Sequence, residues 1–124
     1  MTQNHSDQTE EAAANRLAEL SIKRDRTLAD LDALHAAERA TRRAIEAFAP
    51  RLEEELDGFS DRLTGAGEGR DRVLNEWQAA LTDQTAAFRD LLQEWDRVKT
   101  QENILVQMLI ELERQIDQVS RQLE

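Results

Sequence analysis

At 124 residues, with five aromatic side chains and no Cys, the chain is one domain by length but lacks the bulk for a thick core, and disulfides and thiolate metal sites are excluded. A net charge of −10 disfavours unspecific attraction to nucleic acid or anionic lipid. One Pro and four Gly cannot supply the turns of a many-element fold, and with 34% charged residues the composition is that of long helices.

The opening "MTQNHSDQTEE" has no basic or apolar region of a secretory leader, and residues 1–10 read as a disordered tail. Arm one is expected over 11–64. Leu17, Leu20, Leu31, Leu34, Ile45, Phe48, Leu52 and Phe59 share one heptad frame, with Leu28, Leu56 and Leu63 on the adjacent flank. Arg24, Thr27, Glu38, Thr41, Glu55 and Arg62 interrupt that frame. Pro50 lacks an N–H and predicts a kink, or a fresh helix starting at "PRLEEELD".

"TGAGEGRD" holds three Gly in five residues and predicts the reversal at 65–69, with Asp71 favouring the next helix start. Arm two, 70–124, carries the stronger pattern. Steps of three and four from Leu74 meet Trp77, Leu81, Gln84, Phe88, Leu91, Trp95, Val98, Glu102, Leu105, Leu109, Leu112, Ile116, Val119 and Leu123. A 3.5-residue repeat this long predicts a left-handed coiled-coil seam. Trp77, Phe88 and Trp95 are assigned to that core, and Gln84 and Glu102 are candidate register-setting polar residues. The predicted fold is therefore all-α: a long antiparallel helical hairpin, residues 11–124, pairing with a second copy into a four-helix bundle. Folding at residue 67 places Phe88 and Leu91 near Ala44 and Ile45, Trp95 near Ala36, Ala37 and Ala40, and Arg39, Arg42 and Arg43 near Asp90, Glu94 and Asp96.

Residues 104–112, "ILVQMLIEL", are apolar around the whole helix. Leu105, Leu109 and Leu112 serve the seam. Ile104, Val106, Met108 and Ile110 do not, and with Leu92 they form the candidate interface, since contiguous exposed apolar surface marks association sites. The occupant is first a second copy, otherwise a helix of another protein. The stretch is too short to cross a bilayer. Length and hairpin layout resemble the small coiled-coil stalk and escort proteins found with flagellar and type III secretion ATPases, although no motif carries the likeness and no family is assigned.

No catalytic pattern emerges. "GAGEG" lacks the strand before it and the Lys-Ser/Thr after it that a phosphate loop needs. Asp32 and His35 lie one turn apart, a spacing used by bundles that hold two metal ions, but such sites need the motif twice. A symmetric dimer could repeat it, which leaves a metal-dependent bundle enzyme (iron, manganese or zinc) as the remote alternative. "EEELD", residues 53–57, reads as a solvated face or as a docking patch for a basic partner. The expectation is a non-enzymatic scaffold or adaptor without cofactor, metal or small-molecule substrate. The absence of Cys fits a cytoplasmic location, and fourteen Arg against two Lys suggest a GC-rich bacterial genome.

Overall fold

The structure, a computed structural model, describes the backbone of residues 2–124 and the side chains of residues 7–124. Two helices carry the chain, α1 over Thr2–Gly65 and α2 over Arg70–Leu123, and the described residues contain no strand. They pack as a helical hairpin. The chain divides into two compact units: Met1–Ala36 with Lys99–Glu124, and Ala37–Val98. They are called the first and second unit below.

Residues 2–10, expected as a tail, continue α1, and Met1 lies outside the described residues. Nothing between Thr2 and Ala49 breaks a helix, since that stretch has neither Gly nor Pro. Pro50 does not divide α1 in two. It removes one N–H bond, but Pro50 and Glu46 are both exposed, so solvent can satisfy the carbonyl left over. The reversal is a single 3₁₀ turn over Gly67–Gly69, closed by Gly69 N–H donating to the Ala66 carbonyl at 2.9 Å. Gly67 has φ +54°, a left-handed conformation that a residue with a Cβ adopts at a cost. Asp71 lies in the first turn of α2, where a carboxylate meets the positive end of the helix dipole.

In the first unit Leu20 is buried, Leu17, Leu31, Leu105, Leu109 and Leu112 are half-buried, and Leu123 is exposed. Thr27, an interruption by sequence, is also buried, and its hydroxyl donates to the Lys23 carbonyl at 2.8 Å. That bond answers the polar group inside its own helix, so a Thr fits a narrow seam.

In the second unit Val98 and Thr41 are buried, and Phe48 meets Phe88 with ring centroids 4.9 Å apart. This corrects the register expected from a fold at residue 67. Phe88 meets Phe48, two residues beyond the position that a fold at residue 67 places opposite it, so the fold point lies nearer residue 68. Trp95 lines a pocket with Arg42 and Ile45, and the Arg42 guanidinium lies over its ring. The cross-helix ion pairs foreseen for Arg42 and Glu94 are replaced by pairs within each helix, Arg42 with Glu38 and Arg97 with Glu94.

Near the turn the seam slips by one residue. Val73 is buried, Trp77 and Ala80 are half-buried, and Leu74 and Leu81, both assigned to the core by sequence, are exposed. On α1 the half-buried residue is Leu63, and Arg62 is exposed.

Candidate functional site

Four of the five predicted interface residues lie on α2 in the first unit: Ile104, Val106, Met108 and Ile110. Ile104, Met108 and Ile110 are about half exposed (48%, 48% and 55%), and Val106 is half-buried. They do not form one patch. Ile104 and Met108, four residues apart, stack on one flank of the seam, and Val106 and Ile110 stack about 200° away, on the other. Leu92, the fifth, belongs to the second unit and lines a separate pocket with Arg42, Ile45 and Trp95.

The Ile104–Met108 flank borders a groove of about 540 Å³ between α1 and α2 of the first unit. Met108 and Leu112 give it an apolar wall, and Lys23, Arg26, Asp30 and Glu111 line its edge. Two cations thus face two carboxylates, and the rim is electrically balanced. Arg114 donates to Glu111 (Nε to Oε2, 3.0 Å), and Gln115 donates to it as well. These bonds lower the Glu111 carboxyl to about 2, first through Arg114 and then through Gln115. Glu111 therefore keeps its charge well into the acid range.

Of the two polar seam residues singled out by sequence, Gln84 is hydrogen-bonded, whereas the buried Oε2 of Glu102 accepts no hydrogen bond from the described residues. Gln84 donates to Glu55 across the second unit, so two seam interruptions answer each other. Glu102 lies beside His35, with Oε2 3.9 Å from the imidazole Nε2, and Lys99 is 3.7 Å from its other oxygen. His35 is thus turned toward the seam of the first unit, whereas Asp32 is exposed. Trp95 carries the Arg42 guanidinium over its ring at 5.5 Å, and Trp77 stacks on Phe59 with centroids 6.0 Å apart and planes 6° from parallel.

A second apolar surface is not among the candidates drawn from the sequence. In the second unit Leu56, Leu74 and Leu81 are 44%, 41% and 42% exposed. Leu56 and Leu81 line one crevice with Trp77, and Leu74, Trp77 and Leu81 line an adjoining groove of about 370 Å³. The signal is present in the sequence, because Val73 and Ala80 offer an alternative apolar frame one residue earlier that leaves both leucines outside.

Among the described residues no helix is long and apolar enough to cross a membrane. Comparison with known proteins returns no match to a family model, to a curated protein or to a solved structure.

Proposed function

We propose that the chain is a non-enzymatic scaffold or adaptor that works by self-association, docking the Ile104–Met108 flank and its groove against the same surface of a second copy. The observation that carries this reading is the balanced rim. In a twofold arrangement each patch meets itself, so Lys23 and Arg26 can face Asp30 and Glu111 of the copy without net repulsion. The apolar flank supplies the driving force, since each Å² of apolar surface removed from water contributes about 25 cal/mol.

The test is solution mass by light scattering on a sizing column. The parent chain is expected to run as a dimer, and Ile104→Glu/Met108→Glu as a folded, helical monomer. Val106→Glu/Ile110→Glu, on the other flank, should keep the dimer. A monomeric parent that the substitutions leave unchanged would overturn self-association and leave the groove to a helix of another protein.

A further inference from the structure

The exposed leucines of the second unit lie where its charge is least balanced. Between residues 51 and 83 nine carboxylates stand against four Arg, a net charge of −5, half that of the whole chain. The rest of the unit, residues 37–50 and 84–98, has five carboxylates and five Arg and is neutral. Two of the four Arg near the turn, Arg62 and Arg72, are engaged by one carboxylate, Glu76. Glu53, Glu54 and Asp57, all exposed, are close to Leu56 along α1, with Glu53 nearest to it around the helix. The apolar surface is also firmly backed, because Phe59 stacks flat against Trp77 beneath it. Leu74 and Leu81 are seven residues apart on one face of α2, with Trp77 between them. That spacing suits a helix that inserts side chains one and two turns apart.

Charge decides the occupant. A second copy placed here would bring the −5 of this 33-residue stretch against itself, so like charge disfavours self-pairing. We propose that the turn-proximal end of the second unit docks a basic amphipathic helix of another protein. The helix seats its apolar side on Leu56, Leu74 and Leu81, and its Lys and Arg side chains face the surrounding carboxylates. Apolar contact holds the helix, and the acidic field raises its rate of encounter. The proposal does not depend on the dimer, because it uses none of the groove residues.

The experiment titrates the full chain into a labelled synthetic helix of Leu and Lys with apolar residues at i, i+3, i+4 and i+7, following fluorescence anisotropy at physiological salt. Two control peptides accompany it, one with Glu in place of every Lys and one with the same Leu and Lys in scrambled order. The amphipathic Leu/Lys helix is expected to bind, and both controls to bind at least about tenfold more weakly. Leu56→Ser/Leu81→Ser, which preserves net charge, should weaken binding about tenfold or more, with unchanged helicity by circular dichroism. Glu53→Gln/Glu54→Gln/Asp57→Asn should weaken it and flatten its salt dependence. Ile104→Ser/Met108→Ser should leave it unchanged. Equal binding of the scrambled peptide, or no loss with the leucine variant, would overturn the proposal by reducing the interaction to unspecific charge adhesion. Loss with Ile104→Ser/Met108→Ser instead would overturn it by moving the site to the first unit.

Discussion

The two units expose apolar side chains to a similar degree, yet they surround them with different charges. In the first unit Met108 and Leu112 open between two cations and two carboxylates. In the second, Leu56, Leu74 and Leu81 lie within a 33-residue stretch, 51–83, whose net charge is −5. Hydrophobic burial is non-directional and would reward almost any cover on either surface. The charges at the edge do the selecting, because they set which cover is repelled. On the proposed reading, a balanced rim would admit its own copy and an acidic surround would favour a basic partner.

Reversing charges on the first rim should break this comparison most visibly. Lys23→Glu/Arg26→Glu sets four carboxylates around the groove. Self-association should then fall by about 2–4 kcal/mol, roughly thirty- to several hundred-fold, as read by sedimentation equilibrium. Asp30→Lys/Glu111→Lys should weaken the dimer in the same way through like cations. Mixing the two variants should restore a dimer, now a heterodimer. If each variant stays dimeric on its own, charge does not select the partner and the comparison fails. Both variants should still bind the Leu/Lys helix, since the acidic end of the second unit is untouched.

A smaller effect is expected at the turn, which holds the leucine surface of the second unit together. Gly67→Ala forces a Cβ into a left-handed backbone and should cost about 1–2 kcal/mol in urea unfolding. Gly69→Ala is the control. An added Cβ there meets nothing within 4 Å and φ is not positive, so the variant should be neutral or up to about 1 kcal/mol more stable through the unfolded chain. Equal losses at both sites would show that the left-handed turn is not what fixes the reversal.

The hairpin was legible in the sequence because its signals are redundant: one Gly cluster, two long apolar frames and almost no other helix breakers. Finer features depended on information that periodicity lacks. Thr27 and Thr41 look like defects in a heptad but are among the most buried residues of their helix, since a two-helix seam is thin enough to accept small side chains. The choice between Val73 and Leu74 could not be made from α2 alone, because both frames are apolar there and the partner helix decides which one is covered. The register of Phe88 depended on how many residues the turn consumes. Grouping Leu92 with residues 104–110 treated the chain as one uniform rod, whereas it divides into two compact units. Gln84 was identifiable as a polar core residue, but its partner Glu55 is 29 positions away and only the fold point could reveal it.

The weakest difference between the units is electrostatic and appears only in acid. Each has an Arg three residues after a Glu that it binds: Arg97 on Glu94 in the second unit, Arg114 on Glu111 in the first. The Arg97 hydrogen bond lowers Glu94, and Glu111 is lowered to about 2 because Gln115 adds a second donor. Both carboxyls are depressed in the folded chain, so each contribution to stability is complete above the unfolded value of 4.5 and is lost as pH falls through the folded value. Both pairs are solvent-exposed, so the effects on melting should be small and should shrink further with salt. Melting followed by circular dichroism should show Arg114→Gln below the parent at about pH 6, with the gap closing only near pH 2. The gap for Arg97→Gln should close at a higher pH, since Glu94 has no second donor. If both gaps close together near 4.5, the extra bond from Gln115 does not hold the Glu111 charge. The first rim would then lose one of its two carboxylates in mild acid, and its balance of charge with it.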